Sequence, residues 1–142
     1  MKISMPSLVQ SRVRLHPKRR FFLDVYLDRT DRHMYRRVAK MHPDVDRKDD
    51  YLALMIMLPM TVGQRNSKSR IPLRVGMMYF SVEGLSTPLI VHECVHVANF
   101  GLPILNICLC RLTEEADTQE FFAGLTQSIF ARVHKVLAPF QK

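Results

Sequence analysis

The sequence predicts an α+β domain, and three observations carry that prediction. Strand-like apolar alternation is concentrated before Val82, two long helical patterns follow Thr87, and no internal repeat or Gly/Pro/Ser-rich linker divides the 142 residues. A chain of this length with 47 % hydrophobic residues buries roughly two thirds of its unfolded surface, so residues 1–142 are expected to fold around one core as a single domain. Collagen-like, solenoid and disordered classes are excluded by the same composition.

The elements follow in order. The first twenty residues read as a weak element ending in a basic turn, His16-Pro17-Lys18-Arg19-Arg20. Phe21 to Leu27 (FFLDVYL) alternates as a strand does. Asp28-Arg29-Thr30-Asp31 then offers an N-cap to a helix with Met34, Val38 and Met41 at helical spacing. That helix ends before Pro43, because proline disfavours helical backbone in the residue preceding it. Asp44 to Asp50 is a polar loop, and Tyr51 to Met60 is an apolar run without clear alternation, open to a buried strand or a short helix. Gln64 to Arg70 (QRNSKSR) is expected to be an exposed loop, Ile71 to Val82 a strand broken by Gly76, and Gly84 a turn. Thr87 as cap and Pro88 in the first turn open a helix of about thirteen residues, Pro88 to Phe100, with Gly101 and Pro103 as its stop. After a connector containing Cys108 and Cys110, Thr113 caps a long amphipathic helix that stops near Pro139. Its apolar side carries Leu125, Ile129, Val133 and Leu137 together with Phe121, Phe122 and Phe130.

The net charge of +8 hides an asymmetry. Residues 1–75 hold 17 of the 21 Lys and Arg against 7 acids, whereas residues 76–142 hold 4 basic and 6 acidic residues. A basic surface can steer toward nucleic acid, an acidic protein or a membrane face, and basic residues spread through strands and a helix are more often plain solubilising surface. No membrane partner is expected: the longest apolar stretch, Leu52 to Met60, is about half of what a bilayer requires, and the start of the chain lacks a signal-peptide run. Three cysteines, Cys94, Cys108 and Cys110, follow no disulfide framework and fit a reducing, cytoplasmic setting.

The chemistry sits in the Pro88 helix, where His92-Glu93-Cys94-Val95-His96 fits H-E-x-x-H. Residues four apart share a helical face, with Cβ atoms about 5–6 Å apart, so two imidazoles can converge on one zinc ion. Glu93, beside them, is placed to take a proton from a water that the ion acidifies and to hand it to a departing amine. A catalytic zinc needs a third protein ligand, and Glu114-Glu115 opens the next helix, Glu115 following His96 after eighteen residues. The competing explanation for the histidines is a hydrogen-bonded pair on a half-buried face. For the two glutamates it is stabilisation of the helix dipole in the first turn. Glu115 is preferred over Glu114 on spacing.

H-E-x-x-H with a glutamate eighteen residues on resembles the gluzincin branch of the zincin-type zinc metallopeptidases. The resemblance covers roughly residues 71–133 and rests on two histidines and two glutamates. It implies His92, His96 and Glu115 as ligands of one zinc ion and Glu93 as general base. The chain is also similar to small metallopeptidases predicted in phage and bacterial genomes, in which H-E-x-x-H is followed by E-E at a helix start; this implies a bacterial, or phage-infected host, cytoplasm. The zincin likeness further implies a minimal domain with a small, mostly antiparallel sheet packed on the metal-binding helix and a second ligand helix. An edge strand, expected at Met77 to Glu83, would take an extended peptide by strand addition.

The chain departs from the family pattern at Gln119, where several gluzincins carry an aspartate that braces a histidine; Asp117 or Glu120 could serve instead. The metzincin extension fails, with Asn and Leu at positions 99 and 102, and so does the zinc deaminase signature, which needs H-x-E and a later P-C-x-x-C. Cys94, about 100° per residue off the ligand face, reads as core, as do the nine methionines and the Cys108/Cys110 pair. Tyr79, Arg111, Arg132 and His134 are conceivable donors to an oxyanion. Two functions follow: a zinc peptidase acting on peptide or protein substrates, or an inactive zincin-fold binding module whose basic half docks on nucleic acid or an acidic host protein.

Overall fold

The computed structural model describes residues 6–17, 19–44, 51–104 and 115–141, and for 65–66, 102–104 and 115–118 the backbone alone. The chain is α+β. Strands β1 (Val9–Arg14), β2 (Phe21–Asp28), β3 (Ala53–Met57) and β4 (Leu73–Ser81) form one mixed sheet in the order β1-β2-β4-β3. The helices are α1 (Asp31–Met41), the short α2 (Val62–Asn66), α3 (Thr87–Ile104) and α4 (Glu115–Leu137), the last followed by a 3-10 turn over Ala138–Phe140.

β1 pairs antiparallel with β2 and β3 antiparallel with β4, while the central pair β2 and β4 is parallel. Central position explains the sequence of β4: every residue from Val75 to Ser81 is buried, so the run is apolar nearly throughout rather than alternating. The expectation that Met77 to Glu83 is an edge strand is therefore corrected. β1 and β3 are the edges, and β3 is the one that packs beside α3. Gly76 does not break β4. The register slips there, Phe22 facing Arg74 and Leu23 facing Gly76, so that Val75 is bulged out. A Cβ at Gly76 would stand 2.7 Å from the Ile56 carbonyl oxygen, so only glycine lets β3 approach this closely.

One face of the sheet carries the larger core. Val13, Leu23, Val25, Leu27, Met78 and Phe80 meet Ile90, Cys94, Val97 and Ala98 of α3 and Leu125, Ile129, Val133 and Leu137 of α4. The four α4 residues are a subset of the apolar side read from sequence; Phe122 and Phe130 pack at its margin and Phe121 is exposed. The other face carries Tyr26, Met77 and Tyr79 under Met34 and Val38 of α1. Thr30 caps α1 as expected, its hydroxyl accepting from the His33 amide at 3.1 Å.

Of the Tyr51 to Met60 run, open between strand and helix, Ala53–Met57 forms the strand β3. Other local expectations are revised. The expected loop at Gln64 to Arg70 begins inside α2, which Thr61 and Gln64 close with a reciprocal capping box. α3 is capped by Ser86, whose hydroxyl accepts from the Leu89 amide at 3.2 Å, rather than by Thr87. It also runs through Gly101 and Pro103 to Ile104, because Gly101 is buried against Leu15 and Leu125 and packing outweighs its weak helix propensity. Thr113 and the connector with Cys108 and Cys110 lie outside the described residues.

Candidate metal centre

α3 turns Ile90, Cys94, Val97 and Ala98 into the core, which leaves His92 and His96 on its outer side, both exposed. Their spacing brings the two rings together: the Nε2 atoms are 3.2 Å apart and the ring centroids 4.8 Å apart, edge to face. A tetrahedral zinc held at about 2.05 Å by two nitrogens requires them about 3.3 Å apart. The separation is that of a hydrogen-bonded pair of rings and also lies close to what a shared ion requires, and the donor type suits zinc.

Glu93 differs from its neighbours in being only 7 % exposed. Burial raises its carboxyl above the ordinary range, and the nearby His96 and His92 partly oppose the rise. Cys94 takes the role expected of it, fully buried in the core, with burial pushing its thiol up to about 12. It is neither a ligand nor a reactive thiol.

Glu115 is the first residue of α4, which packs along α3; its side chain is outside what the structure describes, as are Glu114 and Arg111 altogether. Among the described residues no group of three His, Cys, Asp or Glu side chains could hold an ion, so the pair on α3 is what stands in place. Glu120 is exposed.

Two of the candidate oxyanion donors are committed elsewhere. Tyr79 lies on the α1 face, its hydroxyl 2.7 Å from His42 Nε2, so the sheet separates it from α3. Alternation along β4 decides this, since Met78 and Phe80 take the α3 side. Arg132 donates to the Arg14 and Leu15 carbonyls at 2.9 and 3.2 Å and to the Ser128 hydroxyl at 2.7 Å, clamping the end of β1 onto α4. His134 is stacked on Phe130, centroids 5.0 Å apart.

Sequence reasoning missed a polar knot on the opposite face. Arg37 grips Asp28 through two hydrogen bonds of 2.9 and 2.8 Å, both residues buried. Beside it Ser81 donates to Asp31, and Glu83 accepts from the Asp31 amide at 2.8 Å. The available signal was the position of Arg37, three residues after Met34 and next to Val38 on the inward side of α1. Comparison with known proteins finds no matching family, no similar curated protein and no similar solved structure.

Proposed function

We propose that the chain is a zinc-dependent metallopeptidase, with His92, His96 and Glu115 as ligands of one ion and Glu93 as the general base. The observation that carries this reading is the pair of imidazole nitrogens 3.2 Å apart with a buried carboxylate between them in sequence. Zinc, when bound, supplies a Lewis acid that polarises a scissile carbonyl and acidifies water. His92 and His96 are preorganised for it by their spacing on one rigid helix. Glu93 supplies the proton traffic: its raised proton affinity suits a carboxylate that must accept a proton from the attacking water and release it to the departing amine. Glu115, at the start of α4, closes the ligand set from the second helix.

An extended peptide substrate is held, in this reading, along the outer edge of β3 beside α3, which pairs with no further strand among the described residues, main-chain hydrogen bonds giving sequence-independent affinity. The reading places the enzyme in the cytoplasm of a bacterium or of a phage-infected host. Among the described residues no helix is long and apolar enough to cross a membrane. The test is Glu93→Gln in zinc-loaded protein presented with a peptide library. The substitution is expected to retain the metal and abolish cleavage. Equal cleavage by the variant, or none by the parent, overturns the proposal.

A further inference from the structure

The parallel pairing of β2 and β4 has an electrostatic result that neither strand shows alone. Parallel strands begin at the same end of a sheet, so the basic turn before β2 and the basic segment before β4 are brought together. The Leu73 amide donates to the Arg20 carbonyl at 3.1 Å, and the Arg20 guanidinium donates to the Gln64 and Ile71 carbonyls at 2.9 and 3.2 Å. Arg19 and Arg70 are exposed at this end.

The adjoining sheet face continues the charge. Register places Arg14, Phe22 and Arg74 side by side on β1, β2 and β4, and Arg12 opposite Asp24 in the next row. These side chains point away from α3 and α4, and α1 covers Tyr26, Met77 and Tyr79 rather than this row. The Arg12 guanidinium lies 3.9 Å above the Phe22 ring centre, which holds the cation in place at the surface. Asp24 takes Arg74 at 3.3 Å in an exposed ion pair and is the acid these two rows contain. Neither Arg12 nor Arg14 has a carboxylate partner among the described residues; Arg14 donates to the Pro17 carbonyl.

We propose that this basic end of the sheet, centred on Arg12, Arg14 and Arg74 over Phe22, is a docking surface for single-stranded nucleic acid. A run of cations matches a phosphate chain, and the Arg12 guanidinium, mounted on the Phe22 ring, offers unpaired bases a plane on which to stack. Duplex offers such a plane no unpaired bases, and an acidic peptide offers it no bases at all. The inference is independent of the metal site, which stands on the other side of the sheet.

The test is fluorescence anisotropy of a labelled twenty-nucleotide oligothymidylate titrated with the full chain. Saturable binding at about 50 mM salt is expected, weakening at least tenfold by about 200 mM as phosphates regain their counterions. Replacing Arg12, Arg14 and Arg74 together by Glu abolishes binding. Replacing them by Gln, which retains the fold if charge reversal does not, lowers the salt slope by about 2. The same Gln changes at Arg32 and Arg36, exposed on α1, leave affinity within about threefold. Absence of saturable binding, or unchanged affinity in the Gln variant, overturns the proposal. So does tighter binding of duplex, or equal competition by polyglutamate of matched length.

Discussion

Asp28 and Glu93 are both buried acids, 3 % and 7 % exposed, one on each side of the same sheet, and the fold treats them differently. Asp28 accepts the fork of Arg37, and the pairing and hydrogen bonding compensate the cost of desolvating it. Glu93 has no guanidinium partner among the described residues. The side chains flanking it on α3 are the exposed His92 and His96, and burial leaves its proton affinity raised. A buried acid with its own partner is structure, whereas one left with high proton affinity beside two converging imidazoles is what the proposed general base requires.

The largest effect should come from breaking the compensated acid. Arg37→Ala leaves Asp28 buried and unpaired and is expected to cost about 3–5 kcal/mol, read as a fall in the denaturation midpoint. Restoring balance with Asp28→Asn in the same chain should recover a large part of that loss. Next comes the uncompensated site. Zinc at a hundred times its dissociation constant should stabilise the chain by about 2.7 kcal/mol in a thermal melt. That gain should fade on acidification, because ligand nitrogens must be unprotonated, and should vanish with chelator.

Glu93→Gln is expected to act in the opposite direction from Arg37→Ala. The folded protein favours protonated Glu93, so this group's contribution to stability is greatest below its ordinary value of 4.5 and is lost as pH rises through the folded value. Metal-free Glu93→Gln should therefore melt above the parent at neutral pH, with the advantage disappearing below about pH 4.5. The smallest effect belongs to the third acid of the comparison, Asp24. Its partner Arg74 has a side chain 44 % exposed, and Arg74→Ala should change stability by less than about 1 kcal/mol.

What the sequence disclosed of this arrangement was its local part. The strand at Phe21, the helix capped by Thr30 and the four-residue spacing of His92 and His96 each depend on neighbours within one or two turns of chain, and each stands where it was read. The parallel partnership of β2 with β4 joins residues about fifty apart, and no local pattern encodes it, which is why position along the chain alone points to β4 as the edge when β3 takes that place. The length of α3 escaped for a related reason. Gly101 and Pro103 are stop signals by propensity, yet α3 runs through both, and at Gly101 the packing against Leu125 of α4 and Leu15 outweighs the propensity. Tyr79 shows the converse: strand alternation settles which side it faces, but only once the sheet's two coverings are known.

The proposed chemistry depends on α3 holding a metal ion, and elemental analysis of the purified chain tests that directly. Protein dialysed against zinc and then against metal-free buffer should retain close to one equivalent. His96→Ala, which removes one of the two converging nitrogens, should retain almost none while keeping the parent's circular dichroism spectrum. Glu93→Gln should still carry its equivalent. Zinc absent from the parent, or held equally by parent and His96→Ala, would contradict the account.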